Sequence, residues 1–198
     1  FILRKMDIDY SDKDLDIFDN EKVKSNLDII NKIPDKSFNQ LHLDEKWITE
    51  TYRGRRKLRN FKPINASIVE MCSFIEEFVT KSKKNLIISA GAETNSLIEG
   101  IKEKFNKSGL SELNSKKIII LDNISFTDLK LIIKKTDLLI ACHGSPAHIA
   151  SSFNTKIIDI FDQKNEEFYK FYTNHLRNYK YLYREDFTIL AKNILQLI

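Results

Sequence analysis

From about Asn85 onward the chain alternates short, almost uninterrupted apolar runs with longer stretches in which apolar residues recur every three or four positions. Runs of the first kind suit strands buried on both faces, and the alternation implies βαβ units around a parallel sheet. The strand candidates are Asn85 to Ser89, Lys117 to Leu121, Asp137 to Ala141 and Lys156 to Phe161. Between them, Thr94 to Phe105 sets Leu97, Ile98, Ile101 and Phe105 at helical spacing behind Thr94 as N-cap. Ser125 to Lys135 sets Phe126, Leu129, Ile132 and Ile133 on one stripe, and Ser125-Phe126-Thr127-Asp128 resembles a capping box with Asp in place of Glu. Both helices have the length of right-handed crossovers.

Upstream, Ser37 to Leu43 roughly alternates apolar and polar side chains and predicts a first strand, followed by a basic loop and a strongly periodic helix, Ala66 to Lys81. Downstream, Tyr179 to Tyr183 predicts a last strand and Phe187 to Ile198 a closing helix. The expected fold is therefore α/β, a Rossmann-like doubly wound parallel sheet of about six strands with helices on both faces. Residues 37–198 form that domain. Residues 1–36 are charged and helical in pattern, with Val23, Leu27 and Ile30 on one stripe, and read as an N-terminal arm or interdomain linker.

Composition narrows the class. A chain of 198 residues that is 42% hydrophobic can fill one sizeable core, and five Gly and three Pro without a biased tract argue against a long flexible linker. Lys and Arg exceed Asp and Glu by only 32 to 28, with the two signs interspersed, so no nucleic-acid partner is expected. Cys72 and Cys142 have neither CxxC spacing nor histidines at ligand intervals, which argues against a metal site or a disulfide framework. No apolar run is long enough to span a bilayer, and Phe1 to Leu3 is too short for a signal peptide. A cytoplasmic protein is expected, at most touching the inner face of the membrane. The chain opens on Phe1 rather than Met, which suggests part of a longer protein.

Candidate chemistry concentrates after the strand Asp137 to Ala141, in Cys142-His143-Gly144-Ser145-Pro146-Ala147-His148. In an open parallel sheet, ligands bind beyond the carboxyl ends of the strands, where loops meet helix N-termini. Gly144 suits a tight turn, Ser145 a helix N-cap and Pro146 the first helical position. Free N–H groups of that first turn make an anion site suited to phosphate. His148 falls in the same turn, where the helix dipole disfavours an imidazolium, so its protonation is expected to couple to anion binding. The plainer alternative is that Ser145-Pro146 only caps a helix.

Other residues carry weaker signals. The run Arg53-Gly54-Arg55-Arg56-Lys57-Leu58-Arg59 is the densest positive charge in the chain, so Arg55 and Arg56 are candidate phosphate clamps or, equally, solvated surface. Phe161, Tyr169 and Tyr172 are candidates to stack on a base or, alternatively, to pack in the core. His42 and Asp44, at the end of the first strand, are candidate catalytic bases. Cys142 reads as a small buried residue. No Ser-His-Asp order with a nucleophile elbow is present, which disfavours hydrolase chemistry.

The segments Ile124 to Leu129 and Ile132 to Ile140, followed by Gly-Ser-Pro-Ala-His-Ile-Ala, resemble the donor-binding half of GT-B glycosyltransferases of the heptosyltransferase kind, glycosyltransferase family nine. That family carries Asp-Thr-Gly-x-x-His-hydrophobic-Ala, a loop that binds the nucleotide-sugar pyrophosphate. His148 matches its histidine, whereas His143, Gly144 and Ser145 stand where it has Asp, Thr and Gly. Gly91 and Glu93 resemble the Gly-containing loop and following Glu after the second strand, and Lys46-Trp47 resembles a Lys-x-Trp region one residue short, whose lysine neutralises phosphate.

The resemblance covers roughly residues 38–162 and implies an inverting glycosyltransferase. Its donor is a nucleotide-diphosphate sugar, its acceptor a glycan or glycolipid such as a cell-envelope precursor, and it needs no metal or cofactor. It also implies an N-terminal acceptor-binding domain, for which residues 1–36 are too few. The alternatives are a noncatalytic nucleotide-sugar-binding module and a sugar-nucleotide epimerase.

Overall fold

The computed structural model describes residues 33, 35–48, 51–52, 59–91, 95–105 and 111–198. Val23, Leu27 and Ile30 of the N-terminal stripe and Thr94 lie outside them. Among the described residues nine strands are formed: β1 (Phe38–His42), β2 (Thr51–Tyr52), β3 (Arg59–Asn60), β4 (Asn85–Ser89), β5 (Ser111–Leu113), β6 (Lys116–Leu121), β7 (Thr136–Cys142), β8 (Lys156–Phe161) and β9 (Tyr179–Tyr183). The described α-helices are α1 (Ile68–Ser82), α2 (Ser96–Phe105), α3 (Phe126–Lys135), α4 (Ser145–Ser152), α5 (Glu166–Thr173) and α6 (Phe187–Gln196).

Seven strands make the main sheet, in the order β5-β6-β4-β1-β7-β8-β9. All neighbours are parallel except the edge pair β5 and β6. Ranked by chain order, the six parallel strands run 3-2-1-4-5-6, the Rossmann order, and it reverses between β1 and β7. The fold class expected from hydrophobic periodicity is the one observed. Two features carried no such periodicity. Strand β5 is three residues long and hairpins onto β6 through Asn114 and Ser115, both left-handed at φ 50° and 62°. The segment expected as a basic loop is flanked by the two-residue strands β2 and β3, which pair antiparallel.

Strand periodicity assigns the two faces. Leu86, Ile88, Ile140 and Ile158 join one core with Ile75, Phe78, Leu190 and Ile194 of α1 and α6. Ile87, Leu139, Ala141 and Ile157 join the other with Leu129, Ile132 and Ile133 of α3 and Ala147 and Ala150 of α4. Each such buried aliphatic side chain contributes roughly 1.5–3 kcal/mol, which is why both strand parities are apolar.

Caps set the helix starts. Ser67 and Glu70 form a reciprocal capping box at α1. Ser125 Oγ accepts the Asp128 N–H at α3 at 3.0 Å, and Asn95 Oδ1 caps α2 through the Ile98 N–H at 3.1 Å. Phe126, assigned by spacing to the buried stripe of α3, is instead exposed at its first position.

Candidate functional site

Strand order places the loop after β1 beside the turn after β7, at the carboxyl edge where the order reverses. A short 3-10 turn, Glu45–Trp47, follows β1, with Asp44 accepting the Lys46 N–H at 3.2 Å. Trp47 is held by its Nε1–H on the His42 carbonyl at 2.9 Å. That turn aims Lys46 across the edge. Its ammonium donates to the His143 carbonyl at 2.9 Å and pairs with Asp44 Oδ2 at 2.6 Å. Burial pulls the Lys46 pKa down, but the charge and hydrogen bond of Asp44 outweigh it, so the net shift is upward and the cation persists.

Gly144 precedes α4 as its N-cap, with extended backbone at φ 170° and ψ −165°. Ser145 is therefore the first helical residue and not the cap, and Pro146 is the second and not the first. The extended φ also removes the reason given for glycine by a tight turn. The operative constraint is room, since a Cβ on Gly144 would lie 3.0 Å from Lys46 Nζ. The Gly144 and Ser145 N–H groups have no hydrogen-bond partner among the described residues.

His143 continues the β7 ladder, donating its N–H to the Ile160 carbonyl at 2.9 Å. The alternation that points Ala141 into the second core therefore turns His143 to the same face, as it does Asp159, the register partner of Ala141. His143 Nδ1 lies 2.6 Å from Asp159 Oδ2, which also accepts the Tyr179 hydroxyl at 2.8 Å. Asp159 is 0% exposed, and its Oδ1 has no hydrogen-bond partner among the described residues.

The imidazole of His148 lies 5.7 Å from that of His143 and stacks on His175 at 5.5 Å and 17°. Burial lowers the pKa of His148, and the neighbouring His143 and His175 lower it further. Tyr169 packs 4.5 Å from His143 and 4.8 Å from Phe161, so Tyr169 and Phe161 are core, while Tyr172 stands exposed on α5 beside Phe168.

The remaining expectations divide. His42 is 3% exposed, with Nδ1 3.0 Å from Ser89 Oγ, and burial drives its pKa down to about 4. That geometry makes it a neutral structural residue with no face toward a ligand. Asp44 is committed to Lys46 and to capping the 3-10 turn. Gly91 lies two residues beyond the end of β4 on the same edge, with open space where a Cβ would stand. Glu93, Arg55 and Arg56 lie outside the described residues. Cys142 is buried, and burial pushes its thiol up, away from reactivity.

No family model and no curated protein matches the chain. Its fold is similar to that of a solved structure, the UDP-GlcNAc 2-epimerase of Methanocaldococcus jannaschii in complex with UDP-GlcNAc and UDP. The TM-score is 0.50 at 15% identity, over 92% of this chain and 44% of the epimerase chain. The chain thus spans less than half the length of that enzyme.

Two residues at this edge escaped the sequence reading. Asp159 was signalled by a lone carboxylate inside the apolar run Lys156 to Phe161. Arg184 had no local signal. It is 2% exposed, donates from Nε to the Lys62 carbonyl at 2.9 Å, touches Cys142 Sγ with Nη1 at 3.4 Å and lies 5.1 Å over the Phe61 ring. A cavity of about 270 Å³ between Trp47, Pro63, Asn65 and Ser96 flanks the edge. The larger groove of about 600 Å³ lies at the opposite, amino-terminal ends of the strands, lined by Lys84, Asp137, Lys156 and Tyr179. Its lysine charge is partly spent, since Lys84 and Lys156 both pair with Asp137. Among the described residues no cluster of His, Cys, Asp and Glu is arranged to hold a metal ion, and no helix is long and apolar enough to cross a membrane.

Proposed function

We propose that this domain binds the diphosphate of a nucleotide sugar at the β1–β7 edge and is the donor half of a GT-B-type glycosyltransferase acting on a glycan or glycolipid. The observation that carries the reading is the Lys46 ammonium held over the Gly144 turn, 2.9 Å from the His143 carbonyl and next to two N–H groups at the start of α4 that have no partner among the described residues. A cation and a helix N-terminus converging at the switch point of a Rossmann sheet suit a diphosphate. The fold shared with an enzyme solved with UDP-GlcNAc and UDP supports the same ligand class.

In this scheme the diphosphate is the leaving group. Lys46 and the α4 N–H groups stabilise the charge that develops on it as the bond to the sugar breaks, and the acceptor hydroxyl is deprotonated from a partner half. A second reading, a sugar-nucleotide epimerase, is favoured by the acid–base pair His143 and Asp159 inside the domain and by the solved neighbour.

Thermal shift with nucleoside mono- and diphosphates and their sugar conjugates tests binding, and product analysis of the full-length protein separates transfer from isomerisation. Selective stabilisation by diphosphates, lost in Lys46→Met, is expected. An unchanged melting curve with every nucleotide would remove the reading.

A further inference from the structure

Asp159 is a buried carboxylate in the middle of a parallel strand, a position that otherwise favours Val, Ile and Leu. One of its oxygens meets His143 Nδ1 at 2.6 Å and the Tyr179 hydroxyl at 2.8 Å, and the other meets no donor among the described residues. A carboxylate so placed is costly unless paired, so its presence beside the candidate site calls for a role beyond packing. We infer that Asp159 is a positioning residue that locks a proton on His143 Nδ1, so that Nε2 is the ring atom offered to the ligand and His143 is the group that takes up a proton when a diphosphate binds.

The inference rests on the diphosphate reading above and adds to it a named proton acceptor. Asp159 Oδ2 is a carboxylate oxygen that accepts the Tyr179 hydroxyl and, on its other side, the Nδ1–H of His143, and that acceptor fixes the tautomer. The ring is then pinned on its other sides. Tyr169 of α5 packs on it at 4.5 Å, His148 of α4 stands at 5.7 Å with His175 stacked beyond, and the His143 carbonyl is tied to Lys46. Nε2 points away from the carboxylate, and the side chain keeps 14% exposure.

A diphosphate oxygen reaching Nε2 meets a lone pair until a proton from water is added there. Once added, Nε2–H donates a charge-assisted hydrogen bond and the imidazolium is balanced by Asp159 behind it. His148 has no carboxylate within hydrogen-bonding distance among the described residues, and burial together with its imidazole neighbours opposes a charge on it more than the distant Asp159 favours one. Of the two histidines in the turn, His143 is therefore the one with a carboxylate placed to balance a charge.

The test is nitrogen-15 NMR of the histidine side chains over about pH 5.5 to 8.5, first without ligand and then with UDP or ADP. The ligand-free spectrum is expected to show His143 in the Nδ1–H tautomer. Nucleoside diphosphate is expected to protonate Nε2 of His143 at a pH where His148 stays neutral. Asp159→Leu should release the tautomer and weaken diphosphate binding roughly tenfold, with no further loss when combined with His143→Gln. Tyr179→Phe, which leaves the carboxylate, should retain the tautomer. A ligand-free Nε2–H tautomer would overturn the inference even if nucleotides bind, as would proton uptake on His148 alone. The wild-type spectrum decides the tautomer even if Asp159→Leu does not fold, and a correct tautomer without nucleotide binding would instead sink the diphosphate reading.

Discussion

The Lys46 ammonium and the His143 carbonyl meet at 2.9 Å across 97 residues of chain, and this one hydrogen bond ties the loop after β1 to the turn after β7. Because Lys46 also carries the charge that balances the buried Asp44, it links the stability of the edge to the anion binding proposed for it.

Lys46→Met should therefore cost about 3 kcal/mol by leaving the Asp44 carboxylate buried and unpaired. Asp44→Asn in the same chain should restore most of that stability, because Asn keeps an oxygen for the Lys46 backbone N–H without the charge. Urea denaturation of both variants measures the recovery. Nucleoside diphosphate binding by calorimetry should remain weak in both. Recovery of binding by the double variant would detach Lys46 from the ligand.

Gly144→Ala separates fold from function at the turn. The backbone at φ 170° suits alanine, so melting should shift by less than about 1 kcal/mol equivalent. The new Cβ would crowd Lys46 Nζ at 3.0 Å and displace the ammonium by a few tenths of an ångström. Diphosphate affinity should fall several-fold, and unchanged affinity would mean that the position of Lys46 does not matter.

His42 gives the protein a pH dependence unconnected with its ligand. Its pKa is 6.5 when unfolded and about 4 when folded, chiefly through burial. Between those values the unfolded chain binds more protons than the folded one, so the contribution of His42 is whole above pH 6.5 and is lost as the pH falls toward 4. The loss is roughly 3 kcal/mol. The stability difference between wild type and His42→Gln should narrow over that window, as read from urea midpoints. A constant difference would mean that the ring charges freely in the fold.

Arg184 braces the far side of the edge. Lysine cannot reproduce its fork to the Lys62 carbonyl and Cys142 or its stacking on Phe61, so Arg184→Lys should destabilise by about 1–3 kcal/mol despite the retained charge. Differential scanning calorimetry measures it, and wild-type stability in the variant would show that the charge alone suffices.

Patterning marked all six parallel strands: β4, β6, β7 and β8 as near-continuous apolar runs, because strands buried on both faces favour apolar residues at most positions, and β1 by a rough alternation that its buried Asn39, Gln40 and His42 leave weaker. The Gly-Ser-Pro turn after β7 was legible for a similar reason, since few residue types suit the start of a helix. Its details were not: the N-cap is Gly144, and what constrains that glycine is a lysine 98 positions upstream. Strand β5 and the β2–β3 ribbon left no pattern, since two or three residues are too few to establish a period.

What the sequence determined by itself is the set of elements and their buried faces, because the periods of 2 and 3.6 residues are local properties of the backbone. Only the tertiary structure decided which elements became neighbours. Setting β1 beside β7 brought Lys46 to His143, and setting β8 on the other side of β7 brought Asp159 beneath the same ring. Strand order depends on how helices cover both faces of one sheet at once, a competition among contacts far apart in the chain that no local pattern records.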